Sequence, residues 1–274
     1  MNPPLRIDSG ARTDVGCVRT NNEDSYQVEP QINLYILSDG MGGESHGEVA
    51  SALAVQTVVT HCREAVESPA TPMFGDLKPE VSERTNRLAS AIHLANTKVY
   101  ETAVANSEQK GMGATVVAAW LDGQRLSLAH VGDSRAYLLR AGMLEQLTAD
   151  HSLVAEKVRI GILTPQEAET SEWQSVLTRA VGPQPDVEVD ADEHMLVLGD
   201  TLLLCSDGLN RMVTDPEIAS TLLTATSAQA AADRLVELAN ENGGQDNITV
   251  IVLHLSTKSQ NVFGWLKGRR KTSG

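Results

Sequence analysis

The sequence predicts an α+β domain of stacked layers. Three observations lead there. Short apolar runs rich in branched residues recur along the chain, turn dipeptides separate neighbouring runs, and longer segments of helical spacing cluster before and after them. Short links favour antiparallel hairpins over crossover connections. The length of 274 residues, 41% apolar and 21% charged, suits one large domain or two small ones with a sizeable core.

Along the chain, LYIL (34–37) reads as the first strand. A helix follows over 47–67, and a second over 79–106, where Val81, Leu88, Ala91, Ala95, Val99 and Ala103 recur at helical intervals. TVVAAWL (115–121), RLSLAHV (125–131) and RAYLLR (135–140) are strands, the first two joined through Asp122-Gly123 and the third followed by Ala141-Gly142. Residues 148–182 lack strand character and read as a mobile insert. Thr164-Pro165 and Asp215-Pro216 resemble helix starts, because proline suits the first turn. Between them Gly199-Asp200 introduces the strand TLLLC (201–205). A last helix runs from an N-cap at Ser227 to Gly243-Gly244, and NITVIVLHL (247–255) is the final strand.

Composition excludes several partners. With 22 Lys+Arg against 36 Asp+Glu the formal charge is −14. Residues 258–274 carry Lys258, Lys267, Arg269, Arg270 and Lys271 and no acid, so the remainder is more acidic still and offers no cationic face to nucleic acid. Three dispersed cysteines, Cys17, Cys62 and Cys205, read as reduced core thiols of a cytoplasmic protein. No run approaches the roughly 18 apolar residues of a membrane span, and the N-terminus has no apolar signal core. A monomer is expected.

Two distant segments end alike, LYILSDGM (34–41) and LLLCSDGL (202–209): each is an apolar strand running into Ser-Asp-Gly. The aspartate sits where the strand emerges, and the glycine permits close backbone approach. Asp133 in HVGDSR follows a strand and Asp246 in GGQDN precedes one, so a sheet-centred fold can gather all four strand ends. Clustered carboxylates repel one another unless cations neutralise them, and an all-oxygen set suits Mg2+ or Mn2+. Such a two-metal site activates water and steadies phosphoryl oxygens. Arg19, in GCVRTNNEDSY, offers a planar fork for a phosphate beside Glu23 and Asp24.

On these residues the chain resembles the bacterial metal-dependent type 2C (PPM) serine/threonine protein phosphatases. The motifs DVGCVRTNNED, LSDGMGGESHGEVAS, GMGATVV, LAHVGDSRAYLLR, LTADHS, LTRAVG, CSDGLNRMV and GGQDNITVIV come in family order over roughly residues 8–256. The resemblance implies a four-layer sandwich, two central antiparallel β-sheets flanked by helix pairs, with the metals at one end. It implies a phosphatase domain over 1–257 with a flap at about 148–182, and a basic tail over 258–274. Asp39 would bridge two Mn2+ or Mg2+ ions, Gly40 would give a carbonyl, and Asp207 and Asp246 would complete the first ion. Glu23 and Asp24 would orient water, Asn247 would support Asp246, Arg19 would grip phosphate, and Asp133 would hold a weaker third divalent ion. The implied reaction is direct attack of a metal-bridging hydroxide on phosphoserine or phosphothreonine in protein targets of serine/threonine kinases.

Three departures stand out. Many bacterial relatives carry His directly after DGMGG, where this chain has Glu44, with His46 two residues on as a candidate general acid. Arg211 stands where some relatives have Asp, and a cation there should weaken a third metal site. The basic tail, with Phe263, Trp265 and Leu266, falls outside the family domain. Two other readings compete. Gly43-Glu44-Ser45-His46-Gly47 matches the nucleophile elbow of serine hydrolases, with His254 as a late partner, although the strand before it ends too early. A metal-free, phosphatase-like binding module is the second.

Overall fold

The structure, a computed structural model, describes residues 5–42 and 46–257. The basic tail and Gly43-Glu44-Ser45 therefore lie outside the described residues. In chain order the strands are β1 (Leu5–Asp14), β2 (Asp24–Glu29), β3 (Leu34–Met41), β4 (Gly113–Ala114), β5 (Val116–Asp122), β6 (Arg125–Val131), β7 (Arg135–Arg140), β8 (Met143–Gln146), β9 (Asp190–Met195), β10 (Thr201–Cys205) and β11 (Ile248–Thr257). The helices are α1 (Gly47–Glu67), α2 (Glu83–Ala105), α3 (Leu153–Arg159), α4 (Pro165–Glu169), α5 (Asp207–Asn210), α6 (Asp215–Thr224) and α7 (Ala228–Glu241).

The strands form two antiparallel sheets, ordered β1-β11-β10-β7-β8 and β2-β3-β5-β6-β9, with β4 paired to β3. Period-two alternation explains the layering. In β3, Leu34 and Ile36 pack with Ala54 and Val58 of α1 and Leu88 and Ala95 of α2. Tyr35 and Leu37 of the same strand face the other sheet, meeting a cluster that includes Leu138, Leu204 and Ile251. On the outer face of that second sheet, Leu203, Val250 and Val252 cluster with Ile218 of α6 and Leu235 of α7. Three apolar interfaces between four layers are the expected sandwich.

The six expected strands are all present, 125–131, 135–140 and 201–205 to the residue, as is the helix over 47–67. The second helix starts at Glu83 instead of Pro79, because Ser82 caps it by accepting from the Thr85 N–H. The insert at 148–182 holds no strand, as expected, but does hold α3, α4 and an isolated bridge between Ser152 and Leu177. At one end of the sandwich the chain passes between sheets twice, from β1 to β2 through residues 15–23 and from β6 to β7 through residues 132–134. There β3 also runs toward α1 and β10 into α5.

Candidate metal centre

A cleft of about 270 Å³ opens at this end and is lined by Arg19, Glu23, Asp39, Gly40, Asp133, Asp207, Asp246 and Asn247. Met41, Gly42, Thr115, Arg211 and the insert residues Ser175 and Leu177 complete its wall. Most of the expected site is thus gathered from segments far apart in sequence. Asp24 and His46 do not line the cleft.

Each position follows from local structure. Asp39 lies near the end of β3, where its main chain exchanges hydrogen bonds with Thr115, the Asp39 N–H donating to Thr115 Oγ1 at 3.0 Å and Asp39 O accepting from the Thr115 N–H at 2.8 Å. At Gly40 a side chain has no room: an added Cβ would lie 2.1 Å from Gly47 O and 2.6 Å from Glu23 O. Asp207 opens α5, and Asp246 precedes β11. Asp246 Oδ1 accepts from the Asn247 N–H at 2.9 Å, while the Asn247 side chain serves the loop before β2, accepting from the Glu23 N–H at 2.8 Å and donating to Asn21 O at 2.8 Å. Asn247 therefore supports Asp246 by its main chain and Glu23 by its side chain.

Asp24 sits opposite Asp39 in the β2–β3 register and is buried beneath the cleft. Its Oδ2 accepts from Ser206 Oγ at 2.8 Å and Thr249 Oγ1 at 2.6 Å, and its Oδ1 has no partner. Ser206, Thr249 and Thr115 were not singled out in the sequence. Their signal was faint but present: the serine of the second Ser-Asp-Gly, and the threonine following Asp246-Asn247-Ile248. His46 stands at the N-cap of α1 without a side-chain capping bond, near enough to Glu23 to lower its pKa slightly against stronger raising effects.

The electrostatics are those of a buried cluster of carboxylates. Burial pushes the Asp39 carboxyl well above its usual range, and Asp24, Asp207, Asp133 and Asp246 push it further. Burial likewise raises Asp24 to about 7 against the lowering effect of its two hydroxyl donors. Asp133 is also raised to about 7 by burial and by Asp207, with Arg211 opposing. Asp207 is raised by burial, its Oδ1 is buried without a partner, and its Oδ2 is 2.5 Å from Arg211 Nη2. Two orphaned carboxylate oxygens and an all-oxygen donor set fit hard divalent cations. Arg211 also lies 3.7 Å from Asp133 Oδ2, so a guanidinium occupies the space between the two carboxylates. At the mouth Arg19, half exposed, donates to Asp246 Oδ2 at 2.9 Å.

Ser45 of the elbow reading lies outside the described residues, and its expected partner is held within a strand. His254 lies near the far end of β11, bonded to Thr201 Oγ1 at 2.8 Å, eight residues and roughly 26 Å of strand from Asp246 at the cleft.

Known proteins share this fold and much of this sequence. The family model described as Protein phosphatase 2C matches residues 18–244. A serine/threonine phosphatase stp of Listeria welshimeri is 37% identical over 245 residues, covering 88% of this chain and 93% of that one. The crystal structure of the Mycobacterium tuberculosis serine/threonine phosphatase PstP/Ppp is 37% identical, with a TM-score of 0.79 over 92% of this chain and 99% of that one. A structure of the catalytic domain of PstP in complex with two manganese ions is 36% identical, with a TM-score of 0.78 over 92% of this chain and 99% of that chain.

Proposed function

The chain belongs to the protein phosphatase 2C family, and from that premise we propose that it hydrolyses phosphoserine and phosphothreonine in proteins with two divalent cations, Mn2+ or Mg2+, in its carboxylate cleft. The observation that carries the reading is the convergence of Asp39, Asp207 and Asp246 on one cleft with an unpartnered carboxylate oxygen among them. When bound, the cations supply an activated water and neutralise phosphoryl oxygens, so that displacement needs no phosphoenzyme.

The chain's own residues divide the remaining work. Asp39 at the floor would hold the cations together with the Gly40 carbonyl, Asp207 and Asp246. Asp24 supports this floor from beneath, and Glu23 at the cleft wall would orient water. Arg19, on an exposed stem, can leave Asp246 to clamp phosphate with its planar fork. His46 remains the candidate proton donor to the leaving oxygen. Asp133 is the residue for a third, weaker cation, which Arg211 opposes.

Residues 1–257 form the catalytic unit and 258–274 a basic tail. Among the described residues no helix is long and apolar enough to cross a membrane. We assign the protein to cytoplasmic signalling, as a monomer acting on targets of serine/threonine kinases. Phosphate release from a phosphothreonine peptide and from an aryl phosphate, with Mn2+ and with chelator, tests the reading. Asp39→Asn and Asp207→Asn should each lower turnover by roughly two orders of magnitude or more. Chelator-resistant hydrolysis, or wild-type rates in either variant, would refute it.

A further inference from the structure

The segment Ala149-Asp150-His151-Ser152 has no part in the chemistry above, yet it ties two walls of the cleft together. Asp150 accepts from Arg135, Nε lying 3.0 and 3.1 Å from its two oxygens and Nη2 2.7 Å from Oδ2, just beyond the Asp133 turn. The His151 main-chain N–H donates to Gly132 O at 3.0 Å, and the His151 ring accepts the Gly132 N–H on Nδ1 at 3.1 Å. Two hydrogen bonds thus pin the residue before Asp133. In the other direction His151 O accepts from the Thr178 N–H at 2.9 Å, and the Leu153 N–H donates to Val176 O at 2.8 Å. These bonds seat Ser175 and Leu177, which line the cleft.

The ring itself is anchored from behind. His151 is 3% exposed, its Nε2 lies 3.2 Å from Asp190 Oδ2, and Arg179 Nη1 holds the other Asp190 oxygen at 2.7 Å. The hydrogen bond from His151 and then Arg179 hold the Asp190 carboxyl well below its usual range, so it stays an acceptor. The ring stacks on His130 at 4.7 Å, whose Nε2 is 3.0 Å from Ala149 O and whose pKa burial lowers. This group of two histidines and a carboxylate has the composition of a metal site. With Nδ1 accepting from Gly132, however, the proton resides on Nε2 and leaves it no lone pair for an ion, and Arg179 adds a cation. The group is a hydrogen-bonded latch.

We propose that His151 is a positioning residue that fixes the Asp133 turn against the Ser175–Leu177 wall, and so shapes the cleft for a phosphorylated protein segment. The proposal rests on the phosphatase reading. Two substitutions separate its bonds: His151→Gln keeps a donor toward Asp190 and loses the acceptor for Gly132, whereas His151→Asn keeps the acceptor. His151→Gln should raise KM for a phosphothreonine peptide about fivefold, leave kcat on an aryl phosphate within about twofold, and speed deuterium exchange at the Gly132 amide. His151→Asn should stay near wild type on all three. An unchanged KM in His151→Gln, or equal losses in both variants on both substrates, overturns the proposal. Should His151→Gln fail to fold, Asp190→Asn, which loosens the ring from behind, should raise the same KM by a smaller factor, and no rise overturns it. A wild-type protein that releases no phosphate would instead defeat the phosphatase reading, while exchange at Gly132 would still report on the latch.

Discussion

Arg19 and Arg211 both contact carboxylates of the cleft but differ in what they can release. Arg19 is half exposed and holds Asp246 by one bond, so it can exchange a carboxylate for a phosphate at little cost. Arg19→Ala should raise KM roughly tenfold without weakening Mn2+ binding, as judged by calorimetry beside steady-state kinetics. Loss of metal affinity would show that Arg19 orders the carboxylates and does not hold substrate. Arg211 is more enclosed and lies between Asp207 and Asp133, where it offsets part of the charge that raises both carboxyls. Arg211→Ala should therefore improve Mn2+ affinity by about threefold or more, because a cation that competes with the ion has gone. Unchanged or weaker binding would show instead that Arg211 holds Asp207 in its ligating pose. Asp24 gives a third contrast. Its partnerless Oδ1 makes Asp24→Asn neutral or stabilising without metal, by up to about 1 kcal/mol, yet harmful to turnover if that oxygen serves the cations.

At the scale of elements, the two Ser-Asp-Gly motifs prove to be the same device used twice. Ser38 Oγ donates to Thr115 O and Ser206 Oγ to Asp24, tying each strand end to a neighbouring segment. Gly40 and Gly208 each approach a carbonyl that a Cβ would strike, Gly47 O at 2.1 Å and Asn247 O at 2.0 Å. Both obstacles are backbone and cannot swing aside, so Gly40→Ala should cost about 3 kcal/mol and lower Tm by roughly 10 °C. A Tm within a degree or two of wild type would mean that the α1 terminus moves freely relative to β3. These central strands were readable because they are apolar on both faces. Five strands were not readable: β4 has only two residues, and β1, β2, β8 and β9 are the outer strands of the two sheets. An edge strand buries less and carries charge, as in DADEHM of β9, so its pattern resembles a loop. The site shows the same division. Acids beside turn glycines were visible, whereas Ser206 and Thr249 left only a faint local signal and Thr115 none, because their bonds to Asp24 and Asp39 join residues far apart in sequence.

Across the whole molecule, the formal charge of −14 argued at first only against anionic partners. The fold concentrates Glu23, Asp24, Asp39, Asp133, Asp207 and Asp246 at one end, so the sign of that end depends on whether cations are bound. This links stability to pH in a definite direction. Asp24, Asp39, Asp133 and Asp207 all have raised pKa values in the folded state, with Asp24 and Asp133 at about 7, against about 4 in an unfolded chain. Between those values the folded protein binds more protons than the unfolded one. The metal-free protein therefore has this contribution in full below about pH 4 and loses it as pH rises through about 7. Divalent ions compete with the same protons, so their affinity rises over that window, by about 1.4 kcal/mol per displaced proton per pH unit. The gain in Tm on adding Mn2+ should be several degrees larger at pH 7.5 than at pH 5. Asp39→Asn and Asp207→Asn should shrink that difference, since each removes a displaceable proton. Equal gains at the two pH values would mean that the cluster is already ionised without metal, and that some other cation, Arg211 first among them, is neutralising it.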